Sequence, residues 1–329
     1  MKRCFDLAGK GVGNVAPNPL VGAVIVHNDK IIGEGYHRKY GEPHAEANAI
    51  AAVRNQELLK ESTLYVNLEP CSHYGKTPPC AQLIIDKKIP KVIISNKDPF
   101  PKVSGKGIGM MRKSGIEVTE NFLSGEGWEL NRRFFTFHTK KRPYIILKWA
   151  QTANGFIDIT RETPETPALR ISNKITSMLT HKLRAEESAI LVGTKTALLD
   201  NPELTVRKWH GKNPVRVLID KDLQTPSTCR IFNKKSSTIV FTERTPEETP
   251  HQHIEYIEVP FDGEILDLEI LLKELYERKL QSLIVEGGSR LLNAFIQSGI
   301  WDEMRVETAT KLTIPDGVPA PRIEDDFIL

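Results

Sequence analysis

Four cysteines in 329 residues are too few for a disulfide framework, and only Cys71 and Cys80 lie near each other. Cys4 and Cys229 stand alone and read as small buried hydrophobes. An excess of either charge is also missing. The 45 basic and 42 acidic side chains leave a formal +3, too slight to mark a nucleic-acid or membrane surface. Aromatic residues make up 7%, little material for stacking single-stranded bases. No apolar run nears the roughly 18 residues of a membrane span, and Met1-Lys2-Arg3-Cys4-Phe5 opens no secretory signal. A cytoplasmic protein with neither nucleic acid nor membrane as partner is expected.

What remains is globular: 40% apolar and 26% charged residues, in a length that suits two domains of about 150 residues each. In the first half, strand-like runs at Val21–Val26 and Ile31–Gly35 flank His27-Asn28-Asp29-Lys30, which predicts a hairpin. The alanine-rich stretch His44–Val53 predicts a helix. Strands are expected at Thr63–Asn67, Lys91–Ser95 and Ile116–Thr119, with helices opening near Pro79-Cys80 and covering Ile108–Lys113. The polar, basic stretch Phe137–Pro143 reads as the linker, giving domains of 1–142 and 143–329. Strands at Tyr144–Trp149, Ala189–Val192, Val215–Ile219, Thr238–Phe241, Ser282–Val285 and Met304–Glu307 then alternate with helices at Asn173–Glu186, Asp267–Lys279 and Ser289–Gln297. Thr242–His253 reads as a surface loop. Such alternation predicts layered α/β architecture in both halves.

His44-Ala45-Glu46 precedes Cys71, and eight residues separate Cys71 from Cys80. One imidazole and two thiolates are three good zinc ligands, leaving a fourth position for water, and bound zinc lowers the pKa of water towards ~7. His44 and Glu46 are about 200° apart on an ideal helix, so both serve one metal only if the site caps the helix end. The same geometry at Cys80 predicts amide groups aimed at its thiolate. His44-x-Glu46 and Pro70-Cys71 match the zinc-deaminase signature, in which the glutamate carries protons and does not ligate. Two competing readings are a closed structural site with His73 as fourth ligand and a metal-free pair of core thiols.

Ala16-Pro17-Asn18-Pro19-Leu20-Val21-Gly22, the His44 motif and Glu69-Pro70-Cys71-Ser72-His73-Tyr74-Gly75-Lys76-Thr77-Pro78-Pro79-Cys80 together resemble the bifunctional riboflavin-biosynthesis deaminase/reductase family. The long spacer between the cysteines is the most specific feature. The resemblance continues through Leu183-Arg184-Ala185, Thr196–Pro202, Leu204-Thr205-Val206-Arg207 and Val285-Glu286-Gly287-Gly288. It implies a cytidine-deaminase-like α/β domain followed by a dihydrofolate-reductase-like one. It also implies zinc-dependent deamination of 2,5-diamino-6-ribosylamino-4(3H)-pyrimidinone 5′-phosphate, then reduction of the ribosyl side chain to ribityl with NADPH. His44, Cys71 and Cys80 would bind one zinc, Glu46 would be catalytic, and Asn18, His73, Lys76 and Thr77 would contact substrate. A homo-oligomer, dimer or tetramer, is expected.

No G-x-G-x-x-G follows the first strand of the second half, so a standard dinucleotide fold is not supported. Gly105-Lys106-Gly107-Ile108-Gly109 lacks the strand and spacing of a phosphate loop. Val285-Glu286-Gly287-Gly288-Ser289-Arg290 fits better, a strand turning through two glycines into a helix. By resemblance, Gln151, Arg170, Thr196, Asp200, Lys221 and the run Gly288, Ser289, Arg290, Leu291, Leu292, Asn293 and Ala294 would contact NADPH. Ala168, Arg184, Leu204, Arg207 and Glu286 would line the substrate site, the arginines suiting a ribose phosphate. Lys148 and Glu286 are the candidate proton donors. Against the family pattern, Asn154 replaces an acid and the chain stops soon after Arg305–Glu307, so a weakened reductase sheet is expected. The competing function is a zinc deaminase for a nucleoside or nucleic-acid base, with a degenerate reductase domain; another is a non-catalytic zinc-stabilised module.

Overall fold

The structure is a computed structural model that describes residues 1–72, 78–100, 104–246 and 251–322. The chain divides into two compact units, Met1–Lys141 and Arg142–Leu329. None of the described helices is long and apolar enough to cross a membrane.

In the first unit, α1 (Lys2–Gly9) leads into β1 (Gly22–His27) and β2 (Lys30–Tyr36), followed by α2 (Ala45–Ala52), β3 (Thr63–Leu68), α3 (Cys80–Asp86), β4 (Lys91–Asn96), α4 (Lys106–Lys113) and β5 (Glu117–Thr119). The sheet order is β2-β1-β3-β4-β5, antiparallel about β1 and parallel from β3 onward. Asn28 and Asp29 both take positive φ, the conformation a tight two-residue reversal demands. One face of the sheet buries Ala23, Ile25, Leu64, Val66, Val92 and Ile94 against Ala45 and Ala49 of α2, Ile84 of α3 and Met111 of α4. Gly35 lets α2 lie directly on β2, since a Cβ there would sit 2.4 Å from the Ala49 amide nitrogen.

The division between the units falls inside the expected stretch Phe137–Pro143, but that stretch is no open linker. The supposed linker over Phe137–Pro143 is largely helix: α5 (Ser124–Leu130) runs into α6 (Arg132–Lys140), which buries Phe134, Phe135 and Phe137. Its basic carboxyl end, favourable to a helix dipole, disguised an aromatic inner face. Lys141, at positive φ, ends the helix.

The second unit contains β6 (Tyr144–Thr152), β7 (Phe156–Asp158), α7 (Lys174–Glu186), β8 (Ala189–Gly193), α8 (Thr194–Asp200), β9 (Val215–Ile219), β10 (Thr238–Thr242), β11 (Ile254–Glu258), β12 (Phe261–Asp262), β13 (Ile265–Leu266), α9 (Leu268–Glu277), β14 (Ser282–Val285), α10 (Ser289–Ser298), β15 (Glu303–Ala309) and β16 (Val318–Pro319). Seven strands form one parallel sheet in the order β11-β10-β9-β8-β14-β6-β15. Its inner strands are buried on both faces, which is why they read as apolar runs, while the edge strands β11 and β15 are partly exposed. Ile145, Leu147, Leu191 and Val285 pack against α9 and α10; Ile146, Ile190, Leu218 and Ile284 pack against Leu183 of α7 and Ala197 of α8.

The segment expected as a surface loop gives Thr242 to β10, and residues 247–250 of it lie outside the described residues. β11 and α8 were not expected. β11 carries exposed Glu255 and Glu258 along the sheet edge, so its apolar signal is halved. Asn154 closes the β6–β7 turn, accepting from the Thr152 hydroxyl at 2.9 Å and donating to the Ile314 carbonyl at 2.7 Å.

Candidate functional site

His44 is the N-cap of α2 and Glu46 lies in its first turn, the one arrangement that brings residues about 200° apart to a single site. His44 Nδ1 stands 3.5 Å from Cys71 Sγ and 3.4 Å from Cys80 Sγ. Tetrahedral zinc with bonds of about 2.0–2.1 Å to nitrogen and about 2.3 Å to sulfur separates such donors by about 3.5 Å, so the triangle fits the ion. Among the described residues the cluster holds these three donors and no fourth. His73, the competing fourth ligand, lies outside the described residues, as do the expected substrate contacts Lys76 and Thr77.

The electrostatics also call for a cation. The Cys80 thiol, then burial opposing it and the His44 ring aiding it, hold the Cys71 thiol down at about 4. Cys80 is pushed well above its usual range by Cys71 and by burial. The hydrogen bond with Cys71 raises His44 to about 9. A dication at the centre relieves this crowding by taking both sulfurs as thiolates and the imidazole neutral. The expected amide–thiolate contact at α3 exists with its partner changed: the Cys80 amide donates to Cys71 Sγ at 3.3 Å. The helix end therefore favours the Cys71 thiolate, because Cys80's own sulfur turns toward His44 and Glu46.

Glu46 is 3% exposed, and among the described residues its Oε2 has no hydrogen-bond partner. Burial pushes its carboxyl up to about 7. Asn18 Nδ2 contacts His37 Nε2 at 3.1 Å, and His37 Nδ1 reaches the Pro43 carbonyl at 3.2 Å. That carbonyl can only accept, so Nδ1 carries the proton and Nε2 accepts from Asn18. The His37 ring stands edge-on to His44, centroids 5.4 Å apart. Sequence reasoning missed His37, a single histidine past a strand with no spacing to flag it.

In the second unit, adjacent parallel strands β8 and β14 lead into helices on opposite faces, α8 on one and α10 on the other. Such a divergence opens a crevice at the carboxyl ends of the strands. Gly288 lies in it as the N-cap of α10, which has no side-chain cap. A Cβ at Gly288 would meet only the Thr196 hydroxyl, at 3.7 Å, so the backbone is open to a phosphate as a dinucleotide requires. Ser289 and Arg290 form the first turn, while Leu292 points into the core and Leu291 packs on Gly287. Asn293 bonds Ser289 Oγ at 3.2 Å, and Ala294 is half-buried. Gln151 accepts from the Trp149 indole at 2.8 Å. Asp200, at the far end of α8, is held by Arg161, and Lys221 stands between Glu243 and Glu264, two strands from β14. Arg170 and Ala168 are exposed.

Beside the crevice is a buried ionic cluster. Arg184 Nη2 donates to Glu286 Oε2 at 2.6 Å, and Lys148 Nζ is 4.0 Å from Glu286 Oε1. Burial pushes Glu286 up, but Arg184 and then Lys148 pull harder and leave it below the usual carboxylate range. Among the described residues, Arg184 Nε and Glu286 Oε1 are buried without a hydrogen-bond partner. Arg207 is half-exposed, bonded to Thr205 Oγ1 at 2.9 Å and Glu203 at 3.3 Å. Leu204 takes positive φ and buries its side chain in the core, so only its backbone faces outward. Buried His181 accepts the Arg207 amide at Nδ1, 3.0 Å away, another contact no sequence pattern announced.

Comparison with known proteins follows the same division. Residues 143–313 match the family model of the RibD C-terminal domain, and residues 1–96 match the cytidine and deoxycytidylate deaminase zinc-binding region. A riboflavin biosynthesis protein RibD from Aquifex aeolicus (strain VF5) is 41% identical over 315 residues, covering 95% of this chain and 86% of that protein. RibD from Actinobacillus pleuropneumoniae is 39% identical over 318 residues, covering 95% and 83%. The crystal structure of a diaminohydroxyphosphoribosylaminopyrimidine deaminase/5-amino-6-(5-phosphoribosylamino)uracil reductase from Thermotoga maritima superimposes with a TM-score of 0.88 at 39% identity, covering 100% of this chain and 91% of that one. The expected cytidine-deaminase-like and dihydrofolate-reductase-like folds are both present, in that order. With a zinc-fitting triangle in one unit, a phosphate-ready crevice in the other and relatives matching across both, the chain belongs to the RibD family of riboflavin biosynthesis proteins.

Proposed function

We propose that the chain deaminates 2,5-diamino-6-ribosylamino-4(3H)-pyrimidinone 5′-phosphate and then reduces the ribosyl group of the product to ribityl. The observation that carries the first step is the His44–Cys71–Cys80 triangle with the unpaired Glu46 Oε2 beside it. Zinc, when bound there, supplies Lewis-acid activation of water toward the amino-bearing ring carbon. Glu46 would take one proton from the attacking water and give it to the ring nitrogen, then take the second from the hydroxyl added to the ring carbon and give it to the amine, which leaves as ammonia as the carbonyl forms. Asn18, oriented by His37, offers its amide to the pyrimidine, and His73, Lys76 and Thr77 complete the substrate contacts.

NADPH, when bound, supplies the hydride for the second step. Reducing ribosyl to ribityl breaks the bond between C1′ and the ring oxygen, and that oxygen takes up a proton. We assign that proton to Lys148; Glu286, which burial raises but Arg184 holds below the usual carboxylate range, has none to give. Half-exposed Arg207 is the proposed holder of the phosphate, and Arg184, which fixes Glu286, would line the substrate site with Ala168 and Leu204. The amino end of α10, Gly288 to Ala294, receives the dinucleotide with Thr196 opposite; Gln151, Arg170, Asp200 and Lys221 form the rest of its surroundings. Two thiolate ligands suit a reducing cytoplasm. Incubation of the full chain with the diaminopyrimidine phosphate, followed by mass spectrometry, tests both steps. A gain of about one mass unit reports amine replaced by oxo, and a further gain of about two, only with NADPH, reports reduction. An unchanged substrate would sink the assignment.

Because the two sites are built from separate units, Cys80→Ser is expected to lower zinc content and deamination together by about 100-fold or more. Reduction of pre-deaminated substrate is expected at the wild-type rate. A folded variant that lost both activities would show that the sites are not independent.

The chain is also proposed to form a homo-oligomer, a dimer or tetramer. Ile175 and Leu179 on α7 are 66% and 52% exposed, and a Ser172–Glu307 hydrogen bond of 2.7 Å ties the approach to α7 to edge strand β15, where Val306 is exposed. An apolar stripe beside an unpaired strand edge favours self-association. The double variant Ile175→Glu/Leu179→Glu is expected to halve the mass measured by light scattering. An unchanged mass would place the interface elsewhere.

A further inference from the structure

Glu69 follows β3 and is 4% exposed, yet the cluster beside it does not use it. A buried carboxylate needs strong donors, and here they are backbone amides: Gly105 at 2.9 Å and Asp98 at 3.3 Å on Oε2, and Ile108 at 3.2 Å on Oε1. Gly105 is the N-cap of α4, at positive φ and without a side chain to cap the helix, and Ile108 is in the first turn. Glu69 therefore caps α4 from outside, opposite the positive end of its dipole.

An independent contact points the same way. A Cβ on Gly107 would lie 2.1 Å from the Pro70 carbonyl oxygen, so the first turn of α4 presses on the peptide that joins Pro70 to Cys71. On the other flank, the Ala81 amide donates to the Cys71 carbonyl at 3.1 Å. Gly105-Lys106-Gly107, no phosphate loop, thus has a physical reason: one glycine turns the chain and the other permits close approach.

We propose that Glu69 is a positioning residue for Cys71, locking the metal ligand to the amino end of α4. This rests on reading His44, Cys71 and Cys80 as the zinc site. Glutamine at position 69 sets an N–H against an N–H, leucine removes the acceptor, and alanine at 107 pushes α4 off Pro70.

The test uses the full zinc-loaded chain with Glu69→Gln, Glu69→Leu and Gly107→Ala. It measures the rate of zinc release to excess chelator and the visible absorption of the cobalt-substituted protein. All three are expected to release zinc about 10–100-fold faster, the size of effect that outer-shell changes produce, with weaker or shifted cobalt bands. Far-UV circular dichroism and reduction of pre-deaminated substrate are expected to stay as in wild type. Release at the wild-type rate with an unchanged cobalt spectrum would overturn the proposal. So would loss of zinc only together with helix signal in all three variants, which would make Glu69 a general fold determinant. A wild-type chain that binds neither metal would instead refute the zinc reading itself.

Discussion

Glu46→Gln is expected to lower deamination by about 10²–10⁴-fold while zinc remains bound, the range that a positioned acid–base group contributes. The substitution keeps the volume and nearly the shape of the side chain, and Glu46 is not one of the three metal donors. What disappears is an oxygen able to take a proton and return it. Glu46 Oε2 is suited to that work because no hydrogen bond from the described residues engages it. Zinc content measured beside the single-turnover rate separates the outcomes. Full activity would make the site structural, and loss of zinc with activity would make Glu46 a ligand. Reduction of pre-deaminated substrate is expected to be unaffected.

Arg184→Met is expected to destabilise the second unit by about 3–5 kcal/mol, because it strands a buried carboxylate. Glu286 and Arg184 side chains are 10% and 12% exposed, so water cannot replace the lost partner. For a unit of this size the melting temperature should fall by about 6–20 °C. Its pH dependence carries a sign. In wild type Glu286 sits below the usual carboxylate range, so its contribution is present at neutral pH and fades as pH falls through the folded value. Without Arg184, Lys148 at 4.0 Å is the partner left and burial is expected to outweigh it, so the carboxyl rises, protonation favours the folded state, and stability is lost as pH rises above about 4.3. The deficit against wild type should therefore shrink from pH 7 to pH 5. Arg184→Met/Glu286→Leu should recover most of the stability but not the reduction. A pH-independent deficit, or a double variant as unstable as the single one, would refute the account.

Much of the fold was legible because the elements carry local signals. Parallel strands buried on both faces, such as Ala189–Gly193 and Ser282–Val285, read as short apolar runs, and Asn173 and Asp267 cap their helices with side-chain oxygens. Where burial was one-sided and charge abundant, as in β11 and α6, the pattern misled. The candidate zinc donors were legible because thiolate and imidazole at that spacing have few other uses. The polar contacts around the two candidate sites were not. His37, Glu69 and His181 are single polar residues whose partners are backbone groups or side chains far along the chain.

The amino-acid order alone settled which chemical groups are available: two thiols, an imidazole and a carboxylate in one half, a Gly-Gly helix start and two arginines in the other. It also settled the alternation of strand and helix, since periodicity and capping are properties of neighbours in the chain. Only the folded chain decided that His44 caps its helix so that Glu46 can share its site, that the Cys80 amide serves the other sulfur, and that Arg184 belongs first to Glu286. The physical reason is range. Hydrogen bonds and charge pairs act over a few ångströms, so the partner of each group is whatever packing sets beside it, however far apart the two stand in sequence.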